Sequence, residues 1–535
     1  MPTAYTLGEK PLHDYLREHA RRQPQKAAYL WYGRALSYAE LDRLSDAFAA
    51  RLAALGVVKG DRVALFLNNC PQYVIAHFGI QKLGAIVAPC GPLFKAHELE
   101  YQLKDLGAEV IVAADTLYPV VAAVRAATRL RHVFVTGHGE LLPAEPSIDV
   151  PAELRAPRPH IEGTEDFFAA LAATTAVPPA PTLDMDDVAL MTYTSGTTGL
   201  PKGAMLSYRN ALFKTATVAN TSGVRNDDVL LAIAPLYHIA GMLMGINISI
   251  YSGATSVLLH RFDPVATLQA IDRHQVSWWY SIVPMNAAVM QVPNAQQSYN
   301  LSSLRANPAT SFGIVLTEPL AEKWKQFTGG CPLYEAAYGL SETHTADTYM
   351  PRDAIRWGTQ GKVAPGVDCR IVDPDSGRDL PPGDMGEIVL RSPGVFKGYW
   401  NKPEGTAATL RDGWVHTGDM GKLDADGYLR FTGRFKEMIK VSGYSVFPEE
   451  VEVMLIRHPA VGQAAVIGVA DEQKGEVVKA FLVLRAGTQA NAEEIIAWSR
   501  ENMSAYKAPK YVEFRDMLPA TGAGKVLRRL LKNAP

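Results

Sequence analysis

The chain has 535 residues, of which 47% are hydrophobic and 20% are charged, as is typical of a folded globular protein. Its 43 glycines and 35 prolines are too few for a low-complexity chain, so we expect a folded protein with many loops. A formal net charge of −2 provides no overall basic field, which argues against nucleic acid as the main partner.

The cysteines and the N-terminus give no sign of secretion. Cys70, Cys90, Cys331 and Cys369 lie far apart without a CxxC pair, so we expect reduced thiols rather than a disulfide framework or a zinc site. Charged residues interrupt the first 23 positions, unlike a secretory signal. The cytoplasm is therefore the expected location.

The first part of the chain alternates helical patterns with short apolar runs. Ser37 and Glu40 have the spacing of a capping box, the helical pattern that follows ends at Gly56, and an apolar strand comes next. Further apolar runs follow at helix-sized intervals, and together the predicted strands cover 63–67, 85–89, 110–113, 133–136, 188–192 and 255–259. This alternation predicts an α/β fold in which helices cover mainly parallel sheets.

Two segments of this region need separate interpretation. The proline- and alanine-rich stretch 141–181 reads as an irregular surface segment or a linker between subdomains. Residues 229–259 carry no Lys, Arg, Asp or Glu and are long enough to span a bilayer. Because prolines and glycines interrupt them, we predict a strand, a loop, a buried helix and a strand, with no integral membrane segment.

The last hundred residues have a different pattern. Strands are predicted at 464–469, 477–485 and 511–515, and Asn491 with Glu494 predicts the start of a helix. This pattern indicates a separate, compact α+β unit. The boundary is predicted in the glycine- and lysine-rich stretch 433–445, which divides the chain into a large domain of residues 1–435 and a small one of residues 436–535.

The segment TYTSGTTGLPKGAMLSYRN (192–210) carries the clearest chemical signal. It follows an apolar strand and precedes a helical stretch. Glycines let a backbone approach a polyphosphate, hydroxyls and amides donate to its oxygens, and a lysine adds positive charge. The residues of this type are Thr194, Ser195, Gly196, Thr197, Thr198, Gly199 and Lys202. Pro201 rules out a Walker A loop, and a merely flexible loop is the alternative.

TSGTTGLPKG resembles the phosphate-binding motif of the acyl-adenylate-forming (AMP-binding) superfamily. The resemblance continues in order through PLYHIAGM, YGLSET, GEIVLRSPGVFKGYWN, the stretch 413–452 and PATGAGKVLRRLL. It is strongest to the fatty-acid and other acyl-CoA synthetases. It implies that ATP and a carboxylic acid form acyl-AMP and pyrophosphate, and that CoA then displaces AMP. Residues 1–435 would bind AMP and the acyl substrate, and residues 436–535 would be a mobile catalytic domain.

The resemblance assigns the nucleotide site. In YGLSET, Tyr338 would present its ring to adenine, Gly339 would permit close approach, Ser341 would donate to the α-phosphate, and Glu342 would bind Mg²⁺. The family usually has Thr where Ser341 stands, so a hydroxyl is kept. Asp419 would hold the ribose hydroxyls, assisted by Arg434.

The resemblance also assigns residues of the mobile domain and its hinge. Lys525 matches the catalytic lysine, whose charge would stabilise the adenylation transition state, although Ala520 and Ala523 depart from the usual motif. Lys436 takes the hinge position. In the second, thioester-forming pose, Lys440 would face the active site and Gly443 the pantetheine tunnel of CoA.

The acid pocket departs from the family. His238 would lie beside the acyl group and the adenylate, with Gly241 nearby. On either side of Gly313, Phe312 and Ile314 add bulk where the family usually carries small residues, which predicts an apolar pocket of altered shape. Unlike acetate-activating members of the family, the chain has no Trp beside YGLSET, and unlike amino-acid-activating members it has no Asp in PLYHIAGM. We therefore expect a hydrophobic acid that is uncharged at its far end, such as a medium- to long-chain fatty acid.

Three alternatives stay open. The acid could be aromatic, the acyl group could pass to a carrier protein instead of CoA, or the protein could bind nucleotide without catalysis. The sequence leaves the choice between monomer and homodimer open.

Overall fold

The computed structural model describes residues 4–194, 200–311, 314–441, 444–471, 475–521 and 526–532. The strands in these residues are β1 (Ala27–Trp31), β2 (Arg34–Ser37), β3 (Arg62–Phe66), β4 (Ile86–Pro89), β5 (Val110–Ala114), β6 (His132–Thr136), β7 (Glu165–Asp166), β8 (Val188–Thr194), β9 (Lys202–Ser207), β10 (Val229–Ala232), β11 (Thr255–Leu258), β12 (Trp278–Trp279), β13 (Ser281–Ile282), β14 (Asn307–Thr310), β15 (Leu333–Glu335), β16 (Thr348–Tyr349), β17 (Lys362–Val363), β18 (Asp368–Val372), β19 (Gly386–Arg391), β20 (Leu410–Arg411), β21 (Trp414–Leu423), β22 (Leu429–Arg434), β23 (Ile439–Val441), β24 (Tyr444–Val446), β25 (Val461–Asp471), β26 (Gly475–Leu484) and β27 (Tyr511–Phe514).

The helices in the same residues are α1 (Leu12–Arg22), α2 (Tyr38–Ala54), α3 (Pro71–Lys82), α4 (Ala96–Leu106), α5 (Tyr118–Arg125), α6 (Phe167–Ala173), α7 (Tyr208–Ser222), α8 (Ile239–Met242), α9 (Ile248–Ser252), α10 (Pro264–His274), α11 (Val283–Met290), α12 (Ala295–Ser298), α13 (Glu318–Thr328), α14 (Pro403–Thr409), α15 (Pro448–Leu455), α16 (Ala492–Asn502) and α17 (Arg528–Lys532).

Two large sheets form the body of the N-terminal part. One has the order β7-β6-β5-β3-β4-β8-β9 and is parallel except for β9. The other has the order β12-β10-β11-β1-β2 and is parallel except for β2. The apolar runs predicted as strands are strands, because helices cover both faces and strands such as β5 are buried along their whole length. The predicted α/β class is confirmed.

Helix α2 begins with half of the predicted capping box. The Ser37 side chain accepts a hydrogen bond from the Glu40 N–H, as expected for an N-cap. The return bond from the Ser37 N–H to the Glu40 carboxylate is not formed, and that carboxylate accepts a 2.7 Å hydrogen bond from Arg34 instead. Gly56, with φ of +86°, follows the end of the helix.

The uncharged stretch 229–259 folds as predicted. It forms β10, then a buried helix made of α8, a π-helical turn over Leu243–Asn247 and α9, and finally β11. Within the described ranges, the helices are all too short or too polar to cross a bilayer.

The prediction for 141–181 is wrong in part. Within it, β7 pairs with β6, and α6 buries Phe167 and Leu171 in the main core. Two buried residues four positions apart are too few to give a recognisable helical period. Residues 165–173 therefore belong to the large sheet and one of its covering helices, whereas most of the remaining segment has no regular secondary structure, as predicted.

The helical stretch predicted after the segment 192–210 is confirmed as α7, but the segment also contains a strand that was not predicted. Lys202–Ser207 form β9, which pairs antiparallel with β8, and α7 begins only at Tyr208. The motif therefore connects the two strands of a hairpin. The Ser207 side chain caps α7 by accepting a hydrogen bond from the Asn210 N–H.

The remaining strands of the described residues form the small sheets β13-β14-β15 and β16-β17 and two further five-stranded sheets. Residues 368–434 form an antiparallel sheet of β18, β19, β21, β20 and β22, which the sequence interpretation did not foresee. The predicted C-terminal unit has the order β24-β23-β26-β25, with β27 parallel to β26, and has an apolar core of its own. The turn Phe435–Glu437 lies between β22 and β23. The predicted boundary at 435/436 falls in this turn and stays a prediction.

Candidate active site

Residues of YGLSET meet residues from β21 and β22. The Tyr338 hydroxyl donates a 2.7 Å hydrogen bond to Asp419 Oδ2, and Arg434 Nε lies 2.9 Å from Asp419 Oδ1. Asp419 and Arg434 are paired across the two strands. Burial and the charge of Asp419 raise the pKa of Tyr338, so its hydroxyl stays a donor. The fold thus brings together three residues that the sequence assigned to nucleotide binding.

The Tyr338 ring is almost fully buried and packs against Phe431, with the ring centroids 5.8 Å apart. Gly339 is tightly enclosed, since a Cβ there would lie 2.4 Å from the Ala346 nitrogen. The chain folds back over it through three successive residues with positive φ, His344, Thr345 and Ala346. This packing gives Gly339 a structural role, and its contact with adenine stays a prediction.

Glu342 is held from two sides. It lies in the short 3₁₀ turn Ser341–Thr343 and is buried. Its Oε1 accepts a 2.5 Å hydrogen bond from the Tyr399 hydroxyl, and its carbonyl accepts a 2.8 Å bond from the Phe396 N–H. Burial and the charge of Glu342 raise the pKa of Tyr399, which keeps that hydroxyl a donor.

Glu342 fits the predicted Mg²⁺ role. In the ranges that the structure describes, His, Cys, Asp and Glu residues form no group of three able to hold a metal ion. Mg²⁺ bound with a nucleotide commonly uses one or two carboxylates and takes its other ligands from phosphates and water. A single, oriented carboxylate beside the phosphate motif suits that arrangement.

Of the residues predicted to bind phosphate, the structure describes Thr194 and Lys202. The Thr194 hydroxyl donates to the Lys202 carbonyl at 3.5 Å, and Lys202 Nζ lies 4.6 Å from the centre of the Tyr399 ring. The predicted residues that lie outside the described part of the chain are Ser195, Gly196, Thr197, Thr198, Gly199, Phe312, Gly313, Gly443 and Lys525.

The other predicted residues occupy separate places. His238 is half-buried and caps α8, its Nδ1 accepting from the Ala240 N–H at 3.4 Å. Gly241 is required by packing, because a Cβ would lie 2.0 Å from the Pro235 carbonyl oxygen. Ile314 is half-buried, and Lys436 and Lys440 are exposed beyond β22. Their roles stay predictions.

Two features escaped the sequence interpretation. Tyr399 lies in GEIVLRSPGVFKGYWN, which was noted as a motif without a role for any residue. Lys214 of α7 and Asp347 form a fully buried ion pair at 2.5 Å, and the Thr343 hydroxyl also donates to Asp347. This network supports the chain just after Glu342. The available signal was weak: Lys214 is one of two charged residues in α7, the other being Arg209 in the first turn.

A buried carboxyl group lies at the end of β15. Glu335 accepts hydrogen bonds from the N–H and the hydroxyl of Ser311, the residue before the predicted acyl-pocket positions 312–314. Burial raises the pKa of Glu335 to about 7, against the lowering effect of these hydrogen bonds.

This pKa predicts a pH-dependent stability. Above pH about 4.5 the unfolded chain releases the Glu335 proton, whereas the folded chain keeps it until pH about 7. The folded state then binds more protons, so the stability due to Glu335 falls as the pH rises through this window. Relative to Glu335→Gln, the wild type should lose on the order of 3 kcal/mol between pH 5 and pH 8. Urea unfolding of both proteins checks this, and an equal difference at both pH values would contradict it.

Comparison with known proteins identifies the family to which the chain belongs. The family model described as AMP-binding enzyme matches residues 16–400, and that of the AMP-binding enzyme C-terminal domain matches residues 450–525. The chain is 37% identical to a long-chain-fatty-acid–CoA ligase of Bacillus subtilis, over 99% of this chain and 96% of that protein. It is 36% identical to a feruloyl-CoA synthase of Amycolatopsis, over 95% of this chain and 96% of that protein.

A solved structure of an anthranilate CoA ligase in complex with anthranoyl-AMP has the same fold. Its TM-score is 0.85 at 29% identity, and the match covers 99% of this chain and 97% of that one. The chain therefore belongs to the AMP-binding enzyme family. Within that family it is one of the AMP-forming acyl-CoA synthetases.

Proposed function

We propose that this protein activates a hydrophobic carboxylic acid of medium to long chain length with MgATP and transfers the acyl group to CoA. A carboxylate oxygen attacks the α-phosphorus of ATP, and the bond to pyrophosphate breaks. The sulfur of CoA then attacks the acyl carbonyl, loses its proton, and AMP leaves.

Each residue of the candidate active site would contribute to these two reactions according to its chemistry. Asp419, next to Arg434 and Tyr338, can accept hydrogen bonds from ribose hydroxyls. The Ser341 hydroxyl would donate to the α-phosphate, and Glu342 would bind Mg²⁺, which neutralises phosphate charge when present. Lys525 would balance the charge that develops in the adenylation transition state.

One observation supports a hydrophobic acid. A small cavity of about 20 Å³ lies beside the segment that leads into Tyr338. Its lining is mainly apolar, with Met244, Trp278, Ala336 and Ala337 among the residues, and it includes no charged side chain. Burying a charge in such a place without a partner is costly. We propose that the far end of the acid enters at this apolar lining and that the side chains move apart to admit it, because the cavity itself has room for about one water molecule.

The test compares acids of matched length. Octanoate and octanedioate have eight carbons each, but the second carries a charge at the far end. We expect AMP release with CoA for octanoate and longer fatty acids, with kcat/KM for octanedioate lower by about 100-fold or more. Equal use of both acids would contradict the proposal. Acyl-AMP without a CoA thioester, when CoA is supplied, would favour transfer to a carrier protein.

An aromatic acid is the second candidate. It is supported by the 36% identity to a feruloyl-CoA synthase. Ferulate and cinnamate in the same assay separate the two, because a site shaped for an aryl acid should prefer them to octanoate. The cytoplasm stays the location expected from the sequence.

A further inference from the structure

Residues 396–400 lie between β9, which follows the phosphate motif, and Glu342. Three backbone hydrogen bonds join them to β9: Lys397 N–H to the Met205 carbonyl at 2.9 Å, Met205 N–H to Gly398 at 3.0 Å and Trp400 N–H to Gly203 at 2.8 Å. On the other side, the Phe396 N–H donates to the Glu342 carbonyl. The segment thus links two motifs that are more than 130 positions apart in the chain.

Tyr399 is the side chain at this junction. Its hydroxyl donates to Glu342 Oε1 at 2.5 Å, and Lys202 Nζ lies 4.6 Å from its ring centre. Gly398 has φ of +121°, a conformation that other residues rarely adopt, and this turn sets the direction in which the chain enters Tyr399. The Tyr399 ring is buried against Phe396. The hydroxyl is therefore held in place by both the backbone and the packing.

We propose that Tyr399 is a positioning residue that orients the Glu342 carboxylate for Mg²⁺. This rests on the proposed Mg²⁺ role of Glu342. With Oε1 engaged by the tyrosine, Oε2 is the oxygen assigned to the cation. Lys202, which reaches the same ring from the phosphate motif, places a phosphate-binding charge next to this pair.

Metal-dependent binding of a non-reacting nucleotide tests the proposal without relying on turnover. We would titrate MgCl₂ and measure binding of the α,β-methylene analogue of ATP by calorimetry. Tyr399→Phe should raise the half-saturating Mg²⁺ concentration about 10-fold or more, the scale of a lost hydrogen bond to a charged group. Affinity for the analogue without Mg²⁺ should change little.

Tyr428→Phe is the matched control. Tyr428 is also buried, donates a 2.5 Å hydrogen bond from its hydroxyl, to the Ala354 carbonyl, and has a cation over its ring, but its bond does not involve Glu342. This variant should keep the wild-type Mg²⁺ dependence. An equal shift in both tyrosine variants would overturn the proposal, because it would indicate a general effect of losing a buried hydroxyl.

The double variant separates positioning from structure. In a Glu342→Gln background, Tyr399→Phe should add no further shift, because tyrosine acts through the carboxylate. If the shifts of the two variants add, the proposed role of Tyr399 is wrong. The same follows if Tyr399→Phe causes no shift although Glu342→Gln does. In both cases the role of Glu342 is unaffected. If Glu342→Gln itself leaves the Mg²⁺ dependence unchanged, the proposed role of Glu342 fails, and that of Tyr399 with it.

Glu342→Asp gives a second test that does not alter Tyr399. It keeps the charge but withdraws the carboxylate from the tyrosine by one methylene. The half-saturating Mg²⁺ concentration should rise about as much as in Tyr399→Phe. An unchanged Mg²⁺ requirement would contradict the proposal.

Discussion

Replacing Lys525 by alanine is expected to lower the rate of acyl-AMP formation by about 10²- to 10³-fold, the cost of losing a main electrostatic stabiliser of a transition state. Thioester formation from supplied acyl-AMP should continue, because the proposed mobile domain carries this lysine away for the second step. Separate assays of pyrophosphate release from ATP and of acyl-CoA formation from acyl-AMP measure the two half-reactions.

Lys532→Ala is the control for this prediction. Lys532 is an exposed lysine of α17 in the same C-terminal segment, so its loss changes the net charge equally. We expect both half-reactions to stay near the wild-type rate in that variant. An equal loss of both half-reactions in Lys525→Ala would show that the lysine does not act in adenylation specifically.

The largest effect on stability is expected at the buried ion pair. Asp347→Ala leaves the Lys214 ammonium buried without its carboxylate partner, and breaking a buried pair in this way costs about 3–5 kcal/mol. Burial already lowers the pKa of Lys214, against the raising effect of Asp347. The free energy of unfolding, measured by urea denaturation at pH 7, should fall by this amount.

A surface pair provides the comparison. Asp368 and Arg391 form an ion pair at 2.9 Å in which both side chains are more than half exposed, so Asp368→Ala should cost at most about 1 kcal/mol. The double variant Lys214→Met with Asp347→Leu should be more stable than Asp347→Ala, because no unpaired charge remains. Similar losses in Asp347→Ala and Asp368→Ala would contradict this account.

The sequence was most informative where one physical rule decides the structure. Parallel strands covered on both faces must be apolar throughout, so runs such as β5 and β6 could be found from composition alone. The antiparallel sheet around β21 was missed. That strand alternates buried and partly exposed residues and has register shifts at both of its long pairings, which disturb the two-residue period.

The active-site residues also fall into those that a sequence motif identifies and those that only the fold identifies. The motif resemblance assigned Tyr338, Asp419 and Arg434 to one function, and the fold brings them into contact. Tyr399 could not be assigned in this way, because its meaning depends on Glu342, 57 positions away. A tyrosine carries no chemical signal alone, whereas its hydrogen bond to a proposed metal ligand does. The ion pair of Lys214 and Asp347 was missed for the same reason.

The most direct measurement of the central claim follows the oxygen of the acid. The protein would be given a fatty acid labelled with oxygen-18 in its carboxylate, together with MgATP and CoA, and the products would be analysed by mass spectrometry. Attack of the carboxylate on the α-phosphorus predicts one labelled oxygen in AMP and one retained in acyl-CoA. Unlabelled AMP, or label in inorganic phosphate released alongside ADP, would contradict an acyl-adenylate route.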